Sequence, residues 1–267
     1  ISKEINIYLI MQSWSIIIFC YNEKGNVTNV IRDCVSVIKT ISNNQREIII
    51  VDDGSTDESL AEIENEVSNF PDETFKLVKH PSNLGIGMAL KSGYSNAVYE
   101  NVCAVPADGQ FNVKELLPHS FVAPNSFVCF YRKENQSYSL LRNMLSLFNK
   151  KFNKWLLNIE FKDINWVKIY KTSSLQKLDL KLNSSLVETE ICAKLVVDKN
   201  TFIEVQSHYL QRNNGVSKGA SWNIVKKAMA EMLKVYSAVN KYKRRKKHKA
   251  LLIFFGNSFF PYSLCLK

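Results

Sequence analysis

Polar side chains that could bind a metal ion or a polar ligand follow three separate apolar runs of the sequence. The three groups are Tyr21-Asn22-Glu23, Asp52-Asp53-Gly54-Ser55 and Asp108-Gly109-Gln110. Carboxylate and amide oxygens are ligands for hard divalent cations, and they also accept hydrogen bonds from the hydroxyl and N–H groups of a ligand. Any one group is also typical of an ordinary turn or helix start. Because the three groups recur after successive apolar runs, we predict that they form one ligand site.

The elements that must position these groups alternate between strand and helix. The predicted strands are residues 15–20, 46–53, 75–80 and the run that begins at residue 101. They are apolar without alternation, as in a parallel sheet covered on both faces, and the segments between them have helical spacing. We therefore predict an α/β fold with a mostly parallel sheet and helices on both faces. Ser55 and Glu58 have the spacing of a capping box for the second helix. In such sheets, ligands bind at the carboxyl ends of the strands.

The second half of the chain is less regular. We predict strands at 126–133, 163–171 and 201–212, and helices at 140–152 and 184–196, followed by a long helix from Trp222. No internal repeat is visible. The chain thus reads as one domain at residues 1–220 and a basic amphipathic helix with an apolar tail at residues 221–267.

Composition narrows the function classes. With 46% hydrophobic residues the chain can fill a core, and its six cysteines include no CxxC pair. This usage is typical of reduced, buried thiols in a cytosolic protein and not of disulfides or a zinc site. The net charge of +10 is concentrated in residues 241–249, which hold seven Lys/Arg and no acid. Such a run is either a solvated surface or a binding site for an anionic surface.

Six motifs in order carry a resemblance to a known family. They are FCYNE from Phe19, IIIVDDGSTD from Ile48, NLGIGMALKSGYSNA from Asn83, YRK through Arg132, RNMLS through Arg142 and Ser146, and RNNGVSK through Arg212, Gly215, Ser217 and Lys218. Residues 14–220 thereby resemble the family 2 glycosyltransferases of the GT-A fold. The similarity is greatest to the branch of dolichol-phosphate mannose synthase and bacterial polyprenyl-phosphate sugar transferases.

The resemblance implies an inverting hexosyltransferase that uses a UDP- or GDP-linked sugar. Its acceptor would be a polyprenyl phosphate or a cell-envelope glycan, and its cofactor Mg²⁺ or Mn²⁺. The implied donor-binding residues are Phe19, Tyr21, Glu23, Val51, Asp52, Asp53, Ala107, Asp108, Arg132, Arg212 and Lys218. The family has D-x-D-x-Q after the fourth strand, where this chain keeps Asp108 and Gln110 as metal ligands but has Pro106 in place of the first acid. A catalytically inactive, nucleotide-sugar-binding descendant is therefore the alternative.

The acceptor determines which catalytic residues are needed. A polyprenyl phosphate is already anionic and needs no strong base; Arg142 and Ser146, with Arg132, would bind its phosphate. A sugar hydroxyl needs a carboxylate base, for which Asp163, Glu188 and Glu190 are available. Because Glu188 and Glu190 are two residues apart on a helix, they face different directions, and we expect at most one to be catalytic. The predicted catalytic residues are Asp108, Arg132, Asp163 and Glu190.

The tail suggests where the protein acts. An apolar stripe precedes the basic run and consists of Ile224, Val225, Ala228, Met232, Val235 and Tyr236. A helix of this kind lies on anionic lipid through residues 241–249, or it packs back on the domain with its lysines solvated. We expect a cytoplasmic protein that is peripheral at the cytoplasmic face of the membrane. Nucleic acid is not an expected partner, because the body of the domain is not basic and Tyr242 is the one aromatic residue within the basic run.

Overall fold

The computed structural model describes residues 11–42, 44–132, 151, 154, 160–210 and 222–258, with side chains of the last helix at residues 230–248. The strands are β1 (Trp14–Cys20), β2 (Arg46–Asp52), β3 (Phe75–Lys79), β4 (Asn101–Pro106), β5 (Ser126–Arg132), β6 (Lys168–Lys171) and β7 (Thr201–Ser207). The α-helices are α1 (Val27–Ile41), α2 (Ser59–Ser68), α3 (Ile86–Asn96), α4 (Thr172–Leu175), α5 (Val187–Val197) and α6 (Trp222–Ser258), and a 3₁₀ helix spans Val113–His119. The helix predicted at 140–152 lies outside the described residues, apart from residue 151.

The seven strands form one sheet in the order β3-β2-β1-β4-β6-β5-β7. β6 runs antiparallel to β4 and β5, and the other pairings are parallel. In β1, Ile16 and Ile18 pack into a core cluster that includes α1, whereas Ile17 packs into a cluster with residues of α3, α5 and α6. The prediction of a mostly parallel sheet with helices on both faces is confirmed, and this double coverage explains the unbroken apolar runs.

The predicted capping box at Ser55 and Glu58 is wrong. Helix α2 begins at Ser59, and Glu58 makes no side-chain capping bond at its start. The hydroxyl of Ser55 instead accepts the backbone N–H of Asn22 at 3.0 Å. The backbone N–H of Ser55 points to the carboxylate of Asp52 at 3.3 Å. The segment therefore joins the ends of β1 and β2 before the helix starts.

The last helix packs on the domain along part of its length. Met232, Val235 and Val239 are buried in the cluster shared with α5, while Tyr236 is exposed. Of the two alternatives for the predicted apolar stripe, the described side chains therefore follow the one in which the helix packs back; Ile224, Val225 and Ala228 lie outside the described side chains. In the described part of the chain, no helix combines the length and the apolar character needed to cross a bilayer. The boundary at residue 220 stays a prediction.

The five cysteines within the described residues, Cys20, Cys34, Cys103, Cys129 and Cys192, are buried and unbridged. This arrangement agrees with the expectation of reduced thiols. Burial, together with the nearby Asp52, raises the pKa of Cys20 to about 12. A thiol with that pKa stays protonated at neutral pH and is a poor nucleophile.

Candidate active site

A cleft of about 370 Å³ lies at the carboxyl ends of the central strands. The predicted residues that line it are Phe19, Tyr21, Glu23, Asp53, Ala107 and Asp108. The cleft is also lined by residues 165–168, which lead into β6, by Ser185 just before α5, and by Glu188 in the first turn of α5. The structure therefore brings the three polar groups of the sequence to one site, as the strand order requires.

The two acids after β2 have different positions. Asp53 lines the cleft, and its carboxylate accepts the backbone N–H groups of Leu84 at 3.0 Å and Gly85 at 2.8 Å. Its Oδ1 also lies 2.7 Å from His80 Nδ1. Asp52 is 3% exposed, is not among the lining residues, and ties the turn at Ser55. Asp53 thus fixes the loop that begins α3, and Asp52 stabilises the turn behind it.

A glycine is required between β2 and α2. Gly54 has a φ of +70°, and a Cβ there would lie 2.4 Å from the backbone carbon of Ser82. Any larger side chain would push the loop after β3 away from the end of β2. Since that loop carries the amides bound by Asp53, Gly54 contributes to the shape of the cleft.

The turn after β1 is held by the segment that follows β2. Asn22 has a φ of 55°, and its Oδ1 accepts the N–H of Thr56 at 2.7 Å. The N–H of Glu23 donates to Ser59 Oγ at 2.8 Å, and Glu23 Oε2 accepts Asn26 Nδ2 at 3.0 Å. These bonds hold Tyr21 and Glu23 at the cleft, so the polar residues of both predicted groups position one another.

Asp108 stands in the turn after β4 and is 9% exposed. Its Oδ1 accepts the N–H of Gln110 at 3.0 Å, and Gly109 takes a φ of +71° between them. Gln110 donates its side-chain N–H to the hydroxyl of Tyr209 and is not among the lining residues. Pro106, which ends β4, lines the cleft where the family motif has its first acid.

Asp108 and Gln110 offer a divalent cation one carboxylate and one amide oxygen, a small set of protein ligands. Within the described residues there is no cluster of three or more His, Cys, Asp or Glu side chains that could hold a metal ion. Mg²⁺ and similar cations are commonly held by one or two carboxylates, with substrate phosphates and waters as the other ligands. Asp108 can serve as the single carboxylate, and the Gln110 amide oxygen remains an acceptor after its N–H has bonded to Tyr209.

Arg132 and Asp163, both predicted catalytic residues, bind each other. Arg132 Nε donates to Asp163 Oδ2 at 2.7 Å and Nη2 to Oδ1 at 3.3 Å. The guanidinium carbon also lies 4.6 Å from the ring centroid of Trp166. Neither Arg132 nor Asp163 is among the residues that line the cleft. A carboxylate held in this two-bond pair is a poor general base, so the structure does not favour that role for Asp163.

Glu188, and not Glu190, faces the cleft. Glu188 lines it, and its Oε1 accepts the hydroxyl of Tyr94 at 2.7 Å. Its Oε2 accepts Tyr170 at 2.6 Å and lies 3.1 Å from Lys168 Nζ. Burial acts to lower the pKa of Lys168, but the combined interactions with Glu188, Cys192 and Cys129 outweigh it, and the pKa lies above its ordinary value. Burial and Glu188 together also raise the pKa of Tyr94 well above its ordinary value.

Glu190, one of the candidate bases from the sequence, binds groups of the protein itself. It is fully buried, and its carboxylate accepts the N–H groups of Lys181 at 2.9 Å and Leu182 at 2.9 Å. Lys194 Nζ, one helical turn away, binds it at 2.5 Å. Glu190 is not among the lining residues, so the structure does not favour its predicted role as a catalytic base.

Some predicted residues are away from the cleft or outside the described part. Val51 is fully buried in the core and does not line the cleft. Arg142, Ser146, Arg212 and Lys218 lie outside the described residues. Tyr94 and Lys168 also line the cleft but were not among the predicted site residues. The signal available in the sequence was Lys168 itself, a charged residue between the apolar pairs Trp166-Val167 and Ile169-Tyr170.

Comparison with known proteins identifies the family. Dolichyl-phosphate beta-glucosyltransferase of Saccharomyces cerevisiae is 35% identical over 83 residues, which cover 30% of this chain and 25% of that protein. Undecaprenyl-phosphate 4-deoxy-4-formamido-L-arabinose transferase of Pectobacterium carotovorum is 31% identical over 134 residues, 49% of this chain and 40% of that protein. The chain therefore spans less than half the length of these two relatives.

Solved structures support the fold. Glucosyl-3-phosphoglycerate synthase of Mycobacterium tuberculosis, in complex with Mn²⁺, UDP-glucose and phosphoglyceric acid, matches 87% of this chain and 80% of its own with a TM-score of 0.59 and 12% identity. This likeness confirms the predicted GT-A architecture. The family model for "Glycosyl transferase family 2" matches residues 15–178, more than half of the chain. This protein belongs to glycosyl transferase family 2, as the six motifs predicted.

Proposed function

We propose that this protein is an inverting glycosyltransferase that moves a hexose from a nucleotide sugar to a polyprenyl phosphate. The observation that carries the proposal is the cleft, in which Tyr21, Glu23, Asp53 and Asp108 from three strand ends meet. Both curated relatives named above are transferases of lipid-phosphate acceptors by their names. The structural relative was solved with UDP-glucose, so a nucleotide-sugar donor is the natural ligand for a cleft of this type.

The donor would extend along the sheet edge. Tyr21 can pack on the base, and Glu23 and Asp53 can accept hydrogen bonds from the base or ribose. The diphosphate would lie next to Asp108, where a Mg²⁺ or Mn²⁺ ion held by Asp108 and Gln110 would supply charge neutralisation for the leaving group. Ala107 would contribute a backbone contact at this point.

The state of the carboxylates favours an acceptor that is already ionised. Asp163 is paired with Arg132, Glu188 accepts three hydrogen bonds, and Glu190 is buried away from the cleft. None of these three is set up to remove a proton from a sugar hydroxyl, whereas a phosphate monoester needs no such base. The acceptor phosphate oxygen would attack the anomeric carbon as the bond to the nucleoside diphosphate breaks, and the diphosphate leaves with the bonding electrons.

The acceptor class also suggests a location. Residues 241–248 of α6 are mostly exposed and carry the basic run, although Lys246 pairs with Asp198 and Arg245 with Asp179. An exposed basic helix is attracted to anionic lipid, with roughly 1 kcal/mol per Lys or Arg near the surface. We propose that residues 241–249 hold the protein peripherally at the cytoplasmic face, where a lipid phosphate is available.

The test is a transfer assay with radiolabelled UDP- and GDP-sugars, Mn²⁺, and either a short polyprenyl phosphate or the matching polyprenyl alcohol. We expect labelled product with the phosphate and none with the alcohol. Asp108→Asn should reduce transfer about a hundredfold or more, since the cation that would neutralise the diphosphate loses its carboxylate ligand. Asp179→Asn is the matched control, because that carboxylate is half exposed and outside the cleft. Transfer to sugar hydroxyls, but not to the phosphate, would contradict the proposed acceptor.

The second candidate is a nucleotide-sugar-binding protein without transferase activity. The observation that favours it is Pro106, which gives the cleft one acid where the family motif has two. The same assay separates the two candidates. Nucleotide binding without transfer to any acceptor would support this candidate, and the absence of nucleotide binding would contradict both.

A further inference from the structure

A fully buried lysine forms part of the cleft wall. Lys168 begins β6, and its ammonium group has 0% side-chain exposure. Nζ donates to the carbonyl oxygens of Ile164 at 2.6 Å and Trp166 at 2.9 Å, and it lies 3.1 Å from Glu188 Oε2. Its three protons are therefore all used within the protein. Because none remains for a ligand, Lys168 can affect a ligand only through the groups it holds.

Glu188 is the group through which Lys168 can act. A carboxylate has about four acceptor sites, and Glu188 uses three of them for Tyr94, Tyr170 and Lys168. Two of the three are on Oε2, and Oε1 accepts Tyr94 as its single partner within the described residues. Since Glu188 lines the cleft, Oε1 keeps the capacity to accept one hydrogen bond from a ligand.

The position of this pair along the sheet indicates which part of the donor it would meet. The strands run in the order β2, β1, β4, β6. The proposed nucleoside contacts lie at β2 and β1, and the proposed diphosphate contact, Asp108, follows β4. The next strand is β6 with Lys168, and Glu188 of α5 lies against it. A donor laid along this edge would place its sugar beside Glu188.

We propose that Lys168 is a positioning residue that holds Glu188 as an ionised acceptor for a hydroxyl group of the donor sugar. The inference rests on the proposed function, because it needs a nucleotide sugar in the cleft. Without the ammonium group, a carboxylate as buried as Glu188 would lose its cationic partner, at a large cost to the charged form. Lys168 also anchors the turn before β6 through two carbonyl oxygens. Its loss would therefore remove the positive charge that stabilises the Glu188 carboxylate and also the contact that fixes the orientation of this side chain.

The test compares two ligands that differ by the sugar alone. Calorimetry measures the Kd of the nucleotide sugar and of the corresponding nucleoside diphosphate for wild type and Lys168→Met. We expect the Kd of the nucleotide sugar to rise about tenfold or more, the usual effect of losing a hydrogen bond to a charged group. The Kd of the nucleoside diphosphate should stay within about twofold. Lys168→Arg, which restores the cation, should recover part of the loss, a result that a purely structural role does not predict.

Lys171→Met is the matched control. Lys171 is on the same strand, is also nearly buried and pairs with Glu100 at 2.7 Å, but it is not among the residues that line the cleft. It should leave both Kd values unchanged. If Lys168→Met binds both ligands as wild type does, or weakens both equally in a folded protein, the proposal is wrong.

A double variant covers the case in which Lys168→Met does not fold. Lys168→Met with Glu188→Gln removes both buried charges, which is tolerated far better than an unpaired one. It should lose the same preference for the nucleotide sugar, and retention of the preference would overturn the proposal. A wild-type protein that binds both ligands equally would overturn this inference and leave the proposed donor site intact. A wild-type protein that binds no nucleoside diphosphate would overturn the proposed function and this inference with it.

Discussion

The replacement of Glu190 by alanine tests whether this residue is structural. In the folded protein its carboxylate neutralises Lys194, whose side chain is 2% exposed, and accepts two backbone N–H groups of the loop before α5. Glu190→Ala would leave the ammonium buried without an anionic partner, with the Asp179 carbonyl oxygen and the ring of Tyr242 as its remaining contacts. Breaking a buried ion pair by removing one partner costs about 3–5 kcal/mol. Because whole domains are stable by about 5–15 kcal/mol, we expect a large fall in the urea midpoint.

A double-mutant cycle separates the ion pair from the loop contacts. Glu190→Met with Lys194→Leu replaces both charges by apolar side chains, and such replacements are often neutral or stabilising. We expect the double variant to be more stable than Glu190→Met alone by about 2 kcal/mol or more, with Lys194→Leu completing the cycle; coupling energies of this size occur between residues in contact. Urea denaturation followed by circular dichroism gives these values, with Glu64→Gln, an exposed carboxylate that pairs with Lys79, as a surface control.

Measurements of ligand binding then show whether Glu190 has a structural or a catalytic role. At urea concentrations below the unfolding transition, every folded variant of the cycle should bind the nucleoside diphosphate and the nucleotide sugar with wild-type affinity. The reason is that Glu190 is not among the residues that line the cleft. A Glu190→Ala protein with wild-type stability, but with no binding or transfer, would refute this reasoning and restore Glu190 as a catalytic residue.

Three further predictions concern other buried groups. Asp53→Ala should weaken nucleotide binding about tenfold or more and cost about 1–3 kcal/mol for each of the amides at Leu84 and Gly85 left without a partner, as calorimetry and urea denaturation would show. Arg46, with Lys39, holds the pKa of Glu73 below its ordinary value of 4.5. Stability from this carboxylate is therefore present above that value and is lost as the pH falls through the lower folded-state pKa, so Glu73→Gln should flatten the stability–pH curve there. With its pKa near 12, Cys20 should resist alkylation at pH 8 until the protein unfolds.

The strands and the convergence of the polar groups could be predicted because their signals are local. The apolar runs of β1, β2 and β4 are continuous, and each ends in residues that favour turns. Once parallel strands are inferred, their carboxyl ends must share one edge of the sheet. The positions of Tyr21, Asp53 and Asp108 at the cleft followed from this reasoning without any knowledge of side-chain contacts.

The start of α2 could not be predicted from local spacing. Ser55 has the right separation from Glu58, but its hydroxyl accepts an N–H of Asn22, 33 residues away in sequence. The capping-box pattern considers only hydrogen bonds between side chains and backbone within the first turn of the helix, and it leaves out partners from other parts of the fold. Here the tertiary bond also fixes the cleft, so the exception to the local rule falls at the proposed site.

The rotation of α5 about its own axis could not be predicted from the sequence either. Spacing predicted correctly that Glu188 and Glu190 point in different directions, yet it could not say which one faces the cleft. The helix is buried on nearly all sides, so it has no polar face to set its rotation. The choice is made by partners from distant elements. Tyr94 and Tyr170 bind Glu188, and the loop at Lys181 binds Glu190.

The balance of charge in the cleft bears on the role of Pro106. A nucleoside diphosphate and an acceptor phosphate together bring several negative charges, which must be neutralised for attack to occur. Among the described residues that line the cleft, Lys168 is the single Lys or Arg, and its protons are already used. Positive charge must then come from a divalent cation at Asp108 or from cations beyond the described residues, such as Arg212 and Lys218. An acid at position 106 would add a ligand for the cation but also a further negative charge. If the protein acts as proposed, proline at this position makes charge neutralisation depend more on those cations and less on metal binding, and transfer remains chemically feasible without the acid.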